Sequence, residues 1–221
     1  MTTSIVVLTY NEIEGMKKIM PLVDKNWADE IVVVDGGSTD GTIEEAKNQG
    51  FKVVIQEKPG RGEAFRVGLN NTEGDIIVYF SPDGNEVPED IPNLINKQKE
   101  GYDQVIASRF SPGSISYDAT LIRRLGNNFF TLLINFIFKA GVDDAVNGFR
   151  LITRKCMIDL DTKAKYFEIE IEMTIKAAKK GYKTAEIETV EPKRLAGVAK
   201  LNTVIDGLRY LKLVILEWIY W

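Results

Sequence analysis

Three short polar segments, each directly after an apolar run, carry the side chains best suited to chemistry in this sequence. They are residues 9–12, 35–42 and 81–85. Their carboxylate, hydroxyl and amide oxygens can bind ligand hydroxyls or hard divalent cations. Asp35 follows four apolar residues, where a carboxylate is costly unless a partner binds it. The glycines of the second segment are equally typical of an ordinary turn between a strand and a helix.

Residue types that are absent or rare exclude several kinds of site. The sequence has no histidine and a single cysteine, Cys156, which excludes a histidine triad, a zinc cage and an internal disulfide. The glycines within 36–41 do not form G-x-G-x-x-G, and no phosphate-binding G-x-x-x-x-G-K-S/T occurs. The loop around Arg61 is basic and opens a helix, so it suits a phosphate-bearing ligand or is a plain helix start.

Length and composition are those of an ordinary folded protein. The chain has 221 residues, of which 44% are hydrophobic and 27% charged. A chain of this size can bury a hydrophobic core without disulfides or structural metal ions. Its formal net charge of -4 is too mildly acidic for a surface that coats nucleic acid. The first residues lack the basic start and long apolar centre of a signal peptide, which predicts a cytoplasmic protein.

The elements that position the three polar segments alternate through residue 108. Short apolar runs rich in β-branched residues are typical of buried strands, and segments with helical spacing separate them. This order predicts an α/β fold with a mostly parallel, Rossmann-like sheet flanked by helices, and it places the polar segments at the carboxyl ends of the strands. The predicted strands are 5–8, 31–34, 53–55, 76–80 and 105–107, and the predicted helices are 12–23, 42–49, 62–70 and 88–99.

The chain after residue 110 has a different pattern. A Ser/Pro/Gly loop at 111–116 precedes a long apolar helix predicted over 121–140. Because neither a repeat nor a low-complexity linker interrupts the chain, we expect one continuous domain. The remaining predicted elements are a strand at 149–153, a helix at 169–180, a strand at 184–190 and an apolar tail at 204–221.

Motifs spread over residues 4–201 resemble the family 2 glycosyltransferases, which have the GT-A fold. In the first half these motifs are 7–12, 33–42 and 60–62. In the second half they resemble the branch that makes polyprenol-phosphate (dolichol-phosphate) sugars, and they are 107–110, 144–150, 172–173 and 194–201. The resemblance implies a donor half to about residue 110, an acceptor half over about 111–203, and C-terminal amphipathic helices.

The resemblance also implies the reaction. The family transfers a sugar with inversion from a nucleotide-diphosphate donor, and Mg²⁺ or Mn²⁺ held by an Asp-x-Asp motif neutralises the departing diphosphate. Residues 81–85 take the place of that motif, with Asp83 as its second carboxylate and Asn85 as a further oxygen ligand. Ser81 stands where the first carboxylate is expected, and its hydroxyl can bond a ribose or a metal-bound water.

By the same resemblance, residues from several segments line a nucleotide-sugar pocket. Tyr10 can offer its ring to the base, while Glu12 and Asp35 can accept hydrogen bonds from the base or the ribose. The implied pocket residues are Leu8, Tyr10, Glu12, Asp35, Arg61, Ser81, Pro82 and Asp83.

The acceptor decides whether the reaction needs a general base. A polyprenyl phosphate is already an anionic nucleophile, so the resemblance implies cations instead, and Arg109, Arg194 and Lys200 match them. With Asp83 they form the implied catalytic set, although each is also typical of a solvated surface cation. If the acceptor is a hydroxyl, Asp144 is the candidate base. Otherwise we expect Asp144 to pair with Arg150.

Two apolar segments bear on membrane association. Residues 129–138 are too short to span a bilayer, which leaves an interfacial helix or an ordinary core helix. The tail 208–221 carries charges among aliphatic residues and ends in aromatic ones, a pattern suited to a headgroup interface, to core packing or to a dimer. We expect a peripheral protein at the cytoplasmic face of a membrane, with an oligomer or a membrane partner subunit as open alternatives.

Three functions are compatible with these residues. The first is transfer of a sugar from a nucleotide sugar to a polyprenyl (dolichyl) phosphate, with no nucleic acid partner. The second is transfer to a saccharide hydroxyl, and it differs in needing a base and no lipid. The third, suggested by Ser81, is a catalytically weak relative that binds nucleotide sugar.

Overall fold

A seven-stranded sheet forms the centre of the protein in a computed structural model that describes residues 1–196 and 200–220. The strands in chain order are β1 (Thr3–Thr9), β2 (Glu30–Asp35), β3 (Lys52–Ile55), β4 (Ile76–Phe80), β5 (Gln104–Ser108), β6 (Ile115–Ser116), β7 (Arg150–Thr153), β8 (Thr184–Glu188) and β9 (Val190–Glu191). The sheet has the order β3-β2-β1-β4-β7-β5-β8, and β6 pairs with β9 beside it.

Burial on both faces explains the continuous apolar runs of the central strands. In β1 the side chains of Ile5 and Val7 enter one core, and those of Val6 and Leu8 enter the core on the opposite face. Side chains alternate between the faces of a strand, so both sets must be apolar when helices cover both faces. The prediction of an α/β fold with a mostly parallel sheet flanked by helices is therefore confirmed.

Helices connect the strands and cover the two faces of the sheet. They are α1 (Ile13–Lys18), α2 (Thr42–Asn48), α3 (Arg61–Asn70), α4 (Asp90–Gln98), α5 (Leu121–Phe138), α6 (Arg154–Leu160), α7 (Ile169–Lys179) and α8 (Thr203–Ile219). Two of them differ from the sequence prediction. The helix predicted over 12–23 ends at Lys18 and continues as a short 3-10 turn at Met20–Leu22, because Pro21 has no N–H to donate. Helix α6 was not predicted, although Thr153 accepts a hydrogen bond from the Cys156 N–H as its N-cap.

One strand departs from the parallel arrangement. Strand β7 lies between β4 and β5 and runs antiparallel to both. Its amino end therefore lies at the same edge of the sheet as the carboxyl ends of β4 and β5. Residues 147–149, which precede β7, are in this way brought to the edge that carries the polar segments.

The two longest helices, α5 and α8, pack on α7 at one end of the sheet. Ile134 and Phe138 of α5 share a third apolar core with Ile175 of α7 and with Tyr210 and Val214 of α8. The apolar residues on the outer faces of α5 and α8 contribute nothing to this core. Each of the two helices is thus buried on one side and exposed on the other.

Candidate active site

A cavity of 510 Å³ lies at the carboxyl ends of β1, β4 and β5. Its volume is within the range of sites for small molecules. The position is also the expected one, because successive crossovers leave β1 and β4 in opposite directions and so open a crevice between them. Most predicted site residues line this cavity: Leu8, Tyr10, Glu12, Arg61, Ser81, Asp83, Asn85, Arg109, Arg194 and Lys200.

Asp35 lies outside the described lining of the cavity, and its own loop satisfies its carboxylate. It is fully buried and accepts four hydrogen bonds, from the N–H groups of Gly37 and Ser38 and the hydroxyls of Ser38 and Thr9. These bonds remove the cost of burying a carboxylate. In this conformation Asp35 shapes the turn after β2, and its predicted contact with a nucleotide stays a prediction.

Pro82 also lies outside the described lining, and it contributes through its backbone. Helix α1 approaches the loop 81–85 so closely at Gly15 that an added Cβ would lie 1.7 Å from the Pro82 carbonyl oxygen. Only glycine fits such an approach. The contact fixes the end of β4, and with it Asp83, against the helix that follows β1.

The C-terminal segment before α8 lies over the carboxylates at these strand ends. Arg194 Nη2 lies 2.7 Å from Asp83 Oδ2, and its Nη1 lies 3.4 Å from Glu12 Oε1. Lys200 Nζ lies 2.5 Å from the same Glu12 oxygen and donates to the Tyr10 carbonyl. Burial raises the pKa of Glu12, against the lowering effect of Lys200 and Arg194. Residues 197–199 of the predicted motif lie outside the described residues.

The three predicted phosphate-binding cations are therefore divided between two parts of the cavity. Arg194 and Lys200 contact Glu12 and Asp83. Arg109 instead contacts two other carboxylates, with its Nε 2.7 Å from Asp144 Oδ2 and its Nη1 3.4 Å from Glu191 Oε1. The structure does not bring the three into one cluster in this conformation.

The expected Asp144–Arg150 ion pair is wrong. Both carboxylate oxygens of Asp144 contact Arg109, and no ion pair joins it to Arg150 in the described part of the chain. Arg150 is fully buried and donates to backbone carbonyls instead, including those of Asn147 and Glu170. Burial lowers its pKa to about 10. The spacing of charges along the sequence could not distinguish Arg109 from Arg150 as the partner.

The residues of the 81–85 loop provide oxygen ligands but only one carboxylate. Asn85 Oδ1 is buried and has no hydrogen-bond partner among the described residues, and Asp83 lies two residues before it. Amide and carboxylate oxygens suit Mg²⁺ or Mn²⁺, which phosphate oxygens and water can complete. No group of three or more His, Cys, Asp or Glu side chains in the described residues forms a metal site. The residues thus fit a divalent cation that a bound diphosphate helps to hold.

Ser81 contacts Arg61 and Glu86, and the sequence analysis did not identify Glu86 as a site residue. Arg61 Nη1 lies 3.3 Å from Ser81 Oγ, and Arg61 Nε lies 2.5 Å from Glu170 Oε1. The Ser81 N–H donates to Glu86 Oε2 at 2.6 Å. Burial, followed by the charge of Asp83, raises the pKa of Glu86 to about 8. Arg61 therefore connects the 81–85 loop to α7.

The far end of the cavity is lined by one face each of α5 and α8, which the sequence analysis did not assign to the site. The signal was present as helical spacing, because small or polar residues recur at three- and four-residue intervals within apolar helices. On α5 these are Arg123, Gly126 and Asn127, and on α8 they are Thr203, Asp206, Gly207 and Tyr210.

The opposite faces of the same helices expose large apolar side chains. Leu132 and Phe136 of α5 are 69% and 76% exposed, and Trp218 of α8 is 59% exposed. Within the described residues, no helix is long and apolar enough to cross a membrane. Of the aromatic residues predicted at the end of the tail, Trp221 lies outside the described residues.

A mixed sheet with carboxylates at the ends of β1 and β4 is the arrangement expected of a GT-A glycosyltransferase. The sequence model of glycosyl transferase family 2 matches residues 4–160, which is more than half of the chain, and the protein belongs to that family. Its resemblance to the family and its assignment as a glycosyltransferase are thereby confirmed.

Similar proteins include two from Haloferax volcanii. Glycosyltransferase AglJ is 32% identical over 95% of this chain and 68% of its own length. A dolichyl-phosphate hexose transferase is 29% identical over 92% of this chain and 88% of its own length. Among solved structures, glucosyl-3-phosphoglycerate synthase from Mycobacterium tuberculosis with Mn²⁺, UDP and glucosyl-3-phosphoglycerate is 27% identical, with a TM-score of 0.74 over 97% of this chain and 78% of that one.

Proposed function

We propose that this glycosyltransferase transfers a sugar, with inversion and with the aid of a divalent metal, from a nucleotide-diphosphate sugar to a polyprenyl phosphate. One observation carries the proposal. A single cavity extends from Glu12 and Asp83 at the strand ends to the inner faces of α5 and α8, whose outer faces are apolar. A water-soluble donor and a lipid acceptor need such a site, open to both kinds of surroundings.

The nucleotide is proposed to bind at the ends of β1 and β2. Leu8, Tyr10 and Gly36 line this part of the cavity, and the exposed ring of Tyr10 provides a flat apolar surface for a base. Lys200 Nζ lies 5.3 Å from the centre of that ring, so the same pocket has a cation for a phosphate. Glu12 can accept hydrogen bonds from hydroxyl or N–H groups.

Asp83 and Asn85 are the residues that would hold a Mg²⁺ or Mn²⁺ ion, which would offset the charge of the departing diphosphate. The similarity to a synthase whose structure contains Mn²⁺ and UDP supports this assignment. Arg194 already contacts Asp83, so metal and donor must displace or share that contact. Release from Asp83 would leave the Arg194 guanidinium available to a phosphate group.

The acceptor phosphate is proposed to bind beside Arg109, with Arg194 and Lys200 contributing once the donor is bound. An anionic phosphate attacks without a general base, and the local residues agree with this. Asp144, the candidate base for a hydroxyl acceptor, is fully buried with both oxygens on Arg109. It therefore has no free oxygen with which to take a proton from an acceptor.

The outer faces of α5 and α8 are proposed to rest at the cytoplasmic surface of a membrane. Both helices are amphipathic, and aliphatic and aromatic side chains such as Leu132, Phe136 and Trp218 project from them. Apolar faces of this kind bind the boundary between headgroups and acyl chains. The phosphate of a polyprenyl acceptor in that membrane would then lie level with the cavity.

Incorporation of labelled sugar tests the proposal. The protein is incubated with labelled UDP- or GDP-hexose, Mn²⁺ and either a polyprenyl phosphate or an oligosaccharide, and label is measured in the organic and aqueous phases. We expect label in the organic phase only when polyprenyl phosphate is the acceptor. The Asp83→Ala variant should transfer no label. Asp143→Ala, which alters an exposed carboxylate, is the control. Label only on the oligosaccharide would favour the hydroxyl acceptor, and donor binding without transfer would favour a weak relative.

A further inference from the structure

Three buried polar side chains at the far end of the cavity have hydrogen-bonding atoms without partners. They are Asn127 of α5, Glu170 of α7 and Tyr210 of α8, which are 8%, 2% and 5% exposed. The Asn127 Oδ1 and Nδ2, the Glu170 Oε2 and the Tyr210 hydroxyl accept or donate no hydrogen bond within the described residues. Because buried polar groups are almost always paired, such a group of atoms indicates a missing partner.

The three side chains belong to one place in the fold. All of them line the cavity that also contains Asp83 and Arg109. Phe130, one helical turn after Asn127, packs edge-to-face on the Tyr210 ring with 5.3 Å between ring centres. Three different helices thus contribute to the lining of the same cavity, and the ring contact joins two of them, α5 and α8.

The unpaired atoms include both donors and acceptors. The Asn127 Nδ2 and the Tyr210 hydroxyl donate, while Asn127 Oδ1 and Glu170 Oε2 accept. Burial raises the pKa of Tyr210 well above its ordinary value, which keeps the phenol protonated. A sugar hydroxyl donates one hydrogen bond and accepts others, so a group of neighbouring hydroxyls satisfies this set.

Other parts of the proposed substrates fit these atoms poorly. A phosphate only accepts hydrogen bonds, so it would leave the acceptor atoms Asn127 Oδ1 and Glu170 Oε2 unpaired. A polyprenyl chain has no polar atoms and would leave all of these groups unpaired. A sugar carboxylate likewise has no hydrogen to donate to Glu170 Oε2, and the other oxygen, Oε1, is already held by Arg61 Nε at 2.5 Å. The neutral hydroxyls of a hexose remain.

The position agrees with the path of the reaction. Arg61 contacts Glu170 on one side and Ser81 of the 81–85 loop on the other, at 3.3 Å. Arg61 therefore joins the loop that carries Asp83 to Glu170, one of the three residues with unpaired atoms. A sugar on a diphosphate held at that loop would lie beside this contact.

We infer that Asn127, Glu170 and Tyr210 bind the hydroxyl groups of the transferred sugar and select a neutral hexose over a hexuronate. The inference rests on the proposed function and adds the class of sugar to it. It also makes these residues determinants of specificity on the donor side. The alternative source of hydroxyls is a saccharide acceptor, and the experiment separates the two.

Calorimetric titration with Mn²⁺ present tests the inference. The ligands are UDP and GDP, their glucose and mannose conjugates, and UDP-glucuronate. We expect Asn127→Leu and Tyr210→Phe to weaken binding of the preferred nucleotide hexose about three- to tenfold, the effect of one neutral hydrogen bond, and to leave binding of the nucleoside diphosphate unchanged. Glu170→Gln should raise the affinity for UDP-glucuronate relative to that for UDP-glucose.

Matched controls and thermal stability separate a binding role from a structural one. Asn128→Leu on α5 and Tyr220→Phe directly after α8 change the same residue types at exposed positions, and they should change the affinity for neither the nucleotide hexose nor the nucleoside diphosphate. Because Asn127 and the Tyr210 hydroxyl have no partners among the described residues, Asn127→Leu and Tyr210→Phe should melt at or above the wild-type temperature. A lower Tm with wild-type hexose binding would overturn the inference.

The outcomes also separate this inference from the proposed function. If the variants keep the wild-type difference in affinity between nucleotide hexose and nucleoside diphosphate, the sugar assignment alone is overturned. This holds even if their KM for an acceptor rises. A wild-type protein that binds none of the nucleotides contradicts the proposed function and the inference with it. Wild-type preference for UDP-glucuronate would overturn the charge selectivity.

Discussion

At the scale of single residues, Arg194 and the proposed metal ion compete for the carboxylate of Asp83. Arg194 Nη2 lies 2.7 Å from its Oδ2, and the proposed metal needs the same carboxylate. The arginine neutralises Asp83 while no donor is bound. A metal ion that arrives with a diphosphate has additional phosphate ligands and can therefore replace it.

Arg194→Ala should separate metal binding from transfer. Removing the guanidinium leaves Asp83 free, so Mn²⁺ should bind the nucleotide-free protein about fivefold more tightly, since a partly exposed ion pair contributes up to about 1 kcal/mol. Transfer to polyprenyl phosphate should fall, while affinity for a nucleoside diphosphate is kept. Mn²⁺ titration and turnover measure both effects, with Arg124→Ala as the control. Weaker Mn²⁺ binding would contradict competition between Arg194 and the metal for Asp83, and equal loss of donor binding and transfer would place Arg194 on the donor diphosphate.

Ser81→Asp restores the second carboxylate of the family motif. We expect it to tighten Mn²⁺ binding in the presence of a nucleoside diphosphate by about tenfold, because the added oxygen is charged. Turnover should be equal or higher. Arg61, whose Nη1 lies 3.3 Å from Ser81 Oγ, can pair with the new carboxylate when no metal is bound. The neutral Ser81→Asn tests whether charge is responsible. Equal Mn²⁺ affinity in the two variants would show that residue 81 does not ligate the metal.

The sequence could predict which residues reach the cavity better than which partners they have there. Tyr10, Glu12 and Asp83 follow buried strands, and the strand-end rule was enough to place them. The partners of Arg109 and Arg194 come from residues distant along the chain, and several carboxylates were equally available. Asn127 and Tyr210 were missed because an amide or a phenol within an apolar helix carries no charge or motif.

At the scale of elements, the local sequence pattern was sufficient to predict the strands that are buried on both faces. The strands β1, β2 and β4 lie between two apolar layers, so their continuous apolar runs identified them. The antiparallel direction of β7 was not predictable in this way, because a strand of four residues has no pattern that encodes its neighbours. Helices α5 and α8 were predicted as apolar, but which side faces the cavity depends on the packing of α7.

The exposed face of α5 should determine how strongly the protein binds vesicles. The double variant Leu132→Ser, Phe136→Ser removes two large exposed side chains, and each should weaken membrane partition about fivefold or more through lost apolar contact. Flotation with phosphatidylcholine–phosphatidylglycerol vesicles measures the partition. Asn128→Ser, on the same helix, should float like the wild type. Undiminished flotation of the folded double variant would remove this face from the proposed membrane surface.

At the scale of the whole molecule, the fold joins two kinds of surface through one cavity. The loops after the parallel strands β1 and β4 supply Glu12 and Asp83 at one part of the cavity. Helices α5 and α8 supply another part of its wall and an apolar exterior. Strand β7 completes the site, because its antiparallel direction brings residues 147–149 to the same edge. Membership of glycosyl transferase family 2 and the GT-A fold agree with this division.

The most direct test compares two acceptors that differ only in one group. Polyprenyl monophosphate and the corresponding polyprenol are presented in identical vesicles with the labelled nucleotide hexose and Mn²⁺, and the initial rate of label transfer to lipid is measured. We expect transfer to the phosphate and none above background to the alcohol, because the phosphate is already an anion, whereas Asp144, the candidate base for a hydroxyl, has both oxygens paired with Arg109. Equal rates with both lipids, or transfer to the alcohol alone, would contradict the account.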